Sequence, residues 1–443
     1  MRAFSPVTLI ATLALTACWD LAENDQRAEP GNPRLGNTPL SDLAVSPDGR
    51  FIVFGGASKV SALDLDAFAF VDLEVPLHTR FVFTDHPEHP TGEAWFLNTD
   101  DQPDTQALDL IDLSTGRRLR RERAPLLTDA LSFDTRTGQL AAWSRNDREV
   151  TVVGQGPALK LASERRLVDV AWLPDGALAL VEDHTWNGDS PTTRILVYEP
   201  GSAASSPRVL SVPNCASRLN LSPDGRLGLL APTFCAKDPV SVIDIAARRF
   251  VENLPGFGPV AFSPDGSYAV AFGRQDDLAT FGIRSETRYS LLFIDTRDLS
   301  LEVLDLGEDL PTYTVTPDGE VVLIYSIFKS ASYDGIVMVD VATRTLREAD
   351  GPELDLSEFV MSEDGELVYL IDGGLFRLDV ATGQISYIRL PCGSPGEPTQ
   401  CNPDLLNLLP NELTLVLGWH DSRELAFFDI PSERISRTIR LPD

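Results

Sequence analysis

Histidine, cysteine and methionine are scarce in this chain: 5, 5 and 3 copies among 443 residues. Sites built from histidine clusters or a cysteine-rich zinc framework therefore have few places to form. Basic side chains are also outnumbered, with 37 Lys and Arg against 66 Asp and Glu and a formal net charge of -29. A chain so acidic repels phosphate backbones and anionic headgroups as a whole, which excludes nucleic acid as an expected partner and favours cationic or neutral ones. No apolar run reaches the roughly 20 residues of a membrane-spanning helix. The Gly-x-Ser-x-Gly elbow and the Gly-x-x-x-x-Gly-Lys phosphate loop are both missing, which removes two common catalytic frameworks. Helical periodicity is nearly absent. What is present is 43% hydrophobic residues spread along the chain, enough for a core and too many for a disordered protein.

The first residues read as a secretory signal. Arg2 is followed by an apolar run from Val7 to Leu15, then Thr16, Ala17 and Cys18, while Trp19, Asp20, Glu23 and Asp25 end the run too early for a stable span. Leu15-Thr16-Ala17-Cys18 resembles the lipobox of bacterial lipoproteins. The resemblance implies removal of residues 1–17, lipid on the Cys18 thiol and attachment to a membrane through several acyl chains. Pro30, Gly31, Pro33, Gly36 and Pro39 sit in a polar stretch that reads as a flexible tether over residues 18–40. By resemblance to the enteric sorting pattern, Trp19 rather than Asp after the cysteine implies the outer membrane, on its periplasmic or its surface face.

The other four cysteines, Cys215, Cys235, Cys392 and Cys401, form an even set in a chain expected to enter an oxidising compartment. They read as two local disulfides. Cys215 and Cys235 flank the turn at Asp224-Gly225 almost symmetrically, so a hairpin brings them face to face; Cys392 and Cys401 close a short loop.

From residue 41 onward one motif recurs. Ser46-Pro47-Asp48-Gly49, Leu173-Pro174-Asp175-Gly176, Ser222-Pro223-Asp224-Gly225, Ser263-Pro264-Asp265-Gly266, Thr316-Pro317-Asp318-Gly319 and Ser362-Glu363-Asp364-Gly365 each lie between strand-like apolar runs. Proline presets φ, Asp bonds back to the backbone and Gly accepts positive φ, so each predicts a tight hairpin turn. Weaker versions fall at Thr91-Gly92, Thr137-Gly138 and Pro410-Asn411. A second register, apolar-Asp-apolar, runs through Asp64, Asp112, Asp244, Asp295, Asp340, Asp379 and Asp429, and Val152-Val153-Gly154 and Val197-Tyr198-Glu199 fill the two remaining slots more weakly. Both registers count nine units near 45 residues, each of four short strands, which predicts an all-β propeller of four-stranded antiparallel blades over residues 41–443. Eight blades is the alternative, with the second or third unit irregular or outside the ring. No exchange of strands between the ends is evident, so closure would rest on packing between the first and last blades. The motifs resemble the YVTN-type, WD40-like and TolB-like bacterial propellers, a group whose members include enzymes, scaffolds and binding proteins.

In such blades the Pro-Asp-Gly turns mark one face, and the second-to-third loops gather at the other. The loop residues with most chemistry are Trp186, Asn187 and Asp189, then Asp276 and Asp277, then Trp419, His420 and Asp421. Aromatic rings beside carboxylates suit a sugar, a peptide or a cationic group. Asn98, Asp100, Asp101 and Asp104 offer hard oxygen ligands for calcium without a known loop spacing. His78, His86 and His89 fall together, but Pro87 and Pro90 prevent a helix presenting two imidazoles, and a surface turn is expected there rather than a metal site. No cofactor is expected otherwise. The expected function is a membrane-anchored, non-catalytic binding or scaffolding module for a protein, peptide or glycan. The alternative is a propeller enzyme, lactonase-like or glycan-cleaving, with metal or paired carboxylates in the central channel.

Overall fold

The computed structural model describes residues 43–441 apart from 56–58, 77–79, 85–91, 99–105, 126–127, 145–147, 155, 188–189, 201–205, 216–217, 233–238, 309–311, 326–334, 353, 355–357, 393–401 and 420–423. Strands dominate, in nine antiparallel sheets, each built from consecutive segments of the chain. They form nine blades at residues 43–76, 80–123, 130–162, 167–212, 218–254, 257–307, 312–348, 358–388 and 405–440. Blade 4 gains a fifth short strand, Thr185–Asn187.

Nine, not eight, is therefore the blade number. The second and third units, whose turn motifs are weakest, are complete four-stranded sheets. Their turns work by substitution. In blade 3, Asp134 accepts from the Arg136 N–H (3.1 Å) and from Thr137 Oγ1 (2.6 Å), while Gly138 takes φ 67°. In blade 2, Thr84 Oγ1 bonds the Glu93 carbonyl (3.0 Å). In blade 9, Glu412 takes φ 55° where other turns use glycine.

The full Ser/Thr-x-Asp-Gly turns repeat one hydrogen-bond set. Ser46 Oγ donates to Asp48 Oδ1 (2.5 Å) and accepts from the Phe51 N–H (2.8 Å), and the Gly49 N–H returns to the Ser46 carbonyl (2.8 Å). Ser222, Ser263, Thr316 and Ser362 make the same donation to Asp224, Asp265, Asp318 and Asp364. The aspartates of the second register cap the turn between third and fourth strands: Asp340 accepts from the Thr343 N–H (2.7 Å) and Asp379 from the Thr382 N–H (2.7 Å). Both sets of aspartates are thus consumed in turn formation.

Second and third strands are buried on both sides and so read as nearly continuous apolar runs, such as Leu178–Glu182 and Ile336–Asp340. Their alternate side chains face opposite neighbours, and nine apolar clusters result among the described residues, one between each pair of adjacent blades. The closing seam is one of these nine. Leu43, Ile52, Phe54 and Leu63 of blade 1 pack on Leu405, Val416, Leu425 and Phe427 of blade 9, and Asn407 Nδ2 donates to the Leu43 carbonyl (3.3 Å). Each buried Leu, Ile or Phe contributes about 1.5–3 kcal/mol. Among the described residues no strand crosses the seam, and the ring closes there on side-chain packing.

Candidate functional site at the loop face

Antiparallel order places all Pro-Asp-Gly turns and third-to-fourth turns on one face of the ring. That face is occupied by contacts that hold blades together. Arg136 Nη2 donates to the Leu173 carbonyl (2.7 Å), the Tyr268 hydroxyl to the Gly319 carbonyl (2.7 Å), and Arg344 pairs with Glu302 (2.7 Å), each across a blade boundary. The opposite face receives the second-to-third connections and the links between blades. Loops of this kind, carried on a rigid scaffold, are where binding residues concentrate.

In blade 4 the expected irregular loop is largely a hairpin. Thr185–Asn187 pairs back onto the nine-residue strand Ser190–Tyr198, with Trp186 opposite Pro191 and Asn187 opposite Ser190. Trp186 and Asn187 therefore stand on regular backbone that extends the blade outward at this face. Asp189 lies outside the described residues.

In blade 6 the connection begins with a short helix, α1 (Gln275–Thr280), whose first turn holds Asp276 and Asp277, the end of a helix that favours acidic side chains. Leu278 is fully buried and anchors it. Asp277 is neutralised by Arg274, with Nε and Nη2 each 3.2 Å from a carboxylate oxygen. Asp276 is exposed. The descending half of the loop is pinned to Asp305, which accepts from Ser285 Oγ (2.6 Å), the Glu286 N–H (3.1 Å) and Ser290 Oγ (3.1 Å). Burial pushes the Asp305 carboxyl up, but these donors prevail and hold it below the ordinary carboxylate range. This loop is a built, braced projection with the exposed carboxylates of Asp276 and Glu286 and the exposed ring of Phe281.

Trp419 is a correction. It was expected at a loop tip beside His420 and Asp421, but it ends the strand Thr414–Trp419, is fully buried, and packs with Tyr369, Leu375, Leu415 and Leu417 between blades 8 and 9. The reason is the period of two: Leu415, Leu417 and Trp419 share a face. His420 and Asp421 lie outside the described residues.

The structure brings other polar groups together near this face that the sequence patterns did not mark. Glu182, fully buried at the end of a blade 4 strand, accepts from Ser163 Oγ in the link between blades 3 and 4 (2.5 Å) and faces Arg194 Nε at 3.2 Å and Arg165 Nε at 4.0 Å. Arg194 also bonds Glu164 (2.8 Å). Asn214 is fully buried, donating to Ser241 Oγ (2.7 Å), which donates on to Asn253 (2.6 Å). His184 Nδ1 lies 3.0 Å from Asp183 and 3.3 Å from Cys215 Sγ. In all three, the polar residue terminates a strand or begins a loop, where hydrophobic patterning carries no information.

Cys215 and Cys392 are each engaged in a disulfide; Cys235 and Cys401, the partners expected for them, lie outside the described residues, as does Cys18. Asn98, one of the calcium candidates, is buried and donates to Asp109 Oδ2 (3.1 Å). Asp100, Asp101, Asp104, His78, His86 and His89 lie outside the described residues. Among the described residues, no three His, Cys, Asp or Glu side chains gather as metal ligands would, and no helix is long and apolar enough to cross a membrane.

No sequence family and no characterised protein matches the chain at the level of sequence. Solved structures do resemble it. A structure described as the eukaryotic initiation factor superimposes with TM-score 0.56 at 14% identity, covering 82% of this chain and 91% of that one. The dihydro-heme d1 dehydrogenase NirN, in complex with DHE, gives TM-score 0.50 at 17% identity over 81% of this chain and 75% of its own. The Dos1 propeller gives 0.46 at 12% identity, over 87% and 90%. Likeness at such identities bears on fold and leaves function open, and the ring described above settles the fold: the chain is a nine-bladed β-propeller of four-stranded antiparallel blades.

Proposed function

We propose that this chain is a lipid-anchored envelope protein whose propeller holds a protein, peptide or glycan at its loop face and performs no chemistry of its own. One observation carries the binding reading. The two faces differ in kind: turn-face aspartates are spent on turns and blade-to-blade ties, whereas the loop face bears braced projections such as the blade 4 hairpin and the α1 loop of blade 6. Rigid projections around one mouth suit recognition of an extended or bulky partner with little ordering cost. Near that mouth the buried carboxylate Glu182 is held by Ser163 and arginines, and Asp277 by Arg274, which leaves them in structural service rather than poised as acid and base.

Attachment through Cys18, a tether over residues 18–40, residence at the outer membrane, and the pairs Cys215–Cys235 and Cys392–Cys401 belong to the same proposal. Their support is the lipobox-like Leu15-Thr16-Ala17-Cys18 and the even number of downstream cysteines.

A photo-crosslinking residue placed at Asn187 or Asp276 on the loop face, or at Asp48 or Asp364 on the turn face, tests the reading in intact cells. Adducts of defined mass are expected from the loop face alone. Equal adducts from both faces, or from the turn face only, would overturn it. Acyl labelling tests the anchor: Cys18→Ala should lose all label and release the protein from membranes, and an unchanged fractionation would remove that part.

A further inference from the structure

We infer that the outer rim of blades 9, 1 and 2 is a contact surface for an anionic lipid bilayer. The outermost strand of blade 2, Arg118–Arg123, carries four arginines and one glutamate, and Arg117 precedes it. That of blade 9, Arg434–Arg440, carries three arginines and no acid. None of the other outer strands has a net positive charge above one. Blades 9, 1 and 2 are consecutive around the closed ring, so the two basic strands flank blade 1. Blade 1 adds Phe68 and Phe70, 42% and 38% exposed, and blade 2 adds Leu119 at 48%. The Arg437 guanidinium lies 3.8 Å from the Phe68 ring centroid.

The arginines are held outward by what lies behind them. Arg118 and Arg121 approach the fully buried Asp109 at 3.9 and 3.6 Å yet keep 41% of their side chains exposed. Arg120 is spent on Glu122 and on the carbonyl of Gly156 in blade 3. The three outer strands together with Arg117 contain eight arginines and three acids, Asp72, Glu74 and Glu122, in a chain whose net charge is -29. Charges more than about 8–10 Å away are screened at physiological salt, so a surface touching this rim meets a cationic patch and not the acidic whole.

Arginines interspersed with exposed phenylalanine and leucine on a convex rim suit headgroup phosphates above an acyl boundary. The chain enters the ring at Leu43, on the inner strand of blade 1, the blade that the two basic strands flank. For the nearness of a bilayer the inference rests on the anchor at Cys18 proposed above. The rim chemistry does not depend on it.

Residues 40–443 contain every described strand of the ring, and this span can be compared with the full chain to test the rim apart from the anchor. Flotation with phosphatidylcholine vesicles, with and without phosphatidylglycerol, should show binding only to the anionic vesicles and release by salt. The variant Arg117→Gln, Arg123→Gln, Arg434→Gln and Arg440→Gln should partition at least about tenfold less with an unchanged melting temperature. Phe70→Ser is a second variant, expected to weaken binding without changing its salt dependence. Indifference to phosphatidylglycerol, or unchanged binding of the fourfold variant, overturns the inference. Binding of the rim to poly-glutamate but not to vesicles also overturns it and assigns the rim to an acidic protein. Cys18 labelling, read separately in the full chain, distinguishes failure of the anchor from failure of the rim.

Discussion

Gly225, in the turn of blade 5, sits directly on Pro174, in the turn of blade 4: a Cβ built on Gly225 would lie 1.8 Å from Pro174 Cγ. The relation recurs around the ring, with Gly266 on Pro223, Gly319 on Pro264 and Gly49 on Pro410 across the seam. The turn motif therefore does two things. Its glycine permits the positive φ of the hairpin, and its lack of a side chain lets the previous blade's turn approach.

Gly225→Ala should separate these roles from one another. Gly225 has φ 65° and Gly266 has φ 70°, so alanine at either meets a left-handed backbone cost of about 1–2 kcal/mol. At Gly266 the nearest neighbouring atom is 3.4 Å away, an ordinary contact. At Gly225 the clash adds about 1–3 kcal/mol of overpacking. Urea unfolding should rank Gly225→Ala clearly below Gly266→Ala; equal midpoints would show that the turns do not bear on each other in solution.

Trp419→Ala should behave as a core deletion. Its ring is fully buried between blades 8 and 9, so the loss should be about 3–5 kcal/mol. Trp419→Phe removes an indole N–H that has no hydrogen-bond partner among the described residues and should cost under about 1.5 kcal/mol. If Trp419 instead served the mouth, both variants would keep full stability and lose ligand.

Blade number, strand order and turn chemistry were legible because each has a local cause repeated many times: Ser46, Ser222 and Ser263 bond in one way because their tetrads are alike. The seam was legible too, since the first unit begins with its inner strand. The site was far less so. Trp419 could have been placed by continuing the alternation of Leu415 and Leu417, but a strand's last residue and a loop's first look alike in sequence. Glu182 meets Ser163 and Arg165 of the link between blades 3 and 4, and Asn214 meets Ser241 and Asn253 of blade 5; such contacts are set by blade packing and leave no periodic trace. The basic rim was written in the residues from Arg117 to Arg123, yet a net charge of -29 concealed it, because a sum over the chain says nothing about one strand.

The cluster at Glu182 predicts strong coupling between two side chains. With Glu182 fully buried and Arg194 Nε 3.2 Å away, Arg194→Leu leaves a buried carboxylate served by Ser163 and the more distant Arg165, a loss of roughly 3 kcal/mol. Glu182→Leu strands the arginines instead, but these reach solvent and Glu164, so its cost should be smaller. The double variant should be less destabilised than the sum of the two, by at least about 1 kcal/mol in a double-mutant cycle. Additive losses would mean that the contact contributes nothing.

Acid should unfold the ring from the turns. Asp224 and Asp364 are lowered below the ordinary 3.8 chiefly by the hydroxyls of Ser222 and Ser362, and Asp265, Asp340 and Asp379 by the N–H groups of Ser267, Thr343 and Thr382. A carboxyl whose folded value lies below its unfolded one stabilises the fold at every pH above the unfolded value, and that contribution disappears as the pH falls through the folded value. Stability should therefore be level from neutral pH down to about 5 and fall below about 4. Loss of negative charge acts the other way, since a chain of net charge -29 repels itself less as carboxylates take up protons. Urea midpoints measured at high salt, where that repulsion is screened, isolate the turn contribution. Asp379→Asn, which keeps the shape but not the charge, should flatten part of the acid limb. A midpoint that rises below about pH 4 at high salt would show that these aspartates contribute nothing as carboxylates.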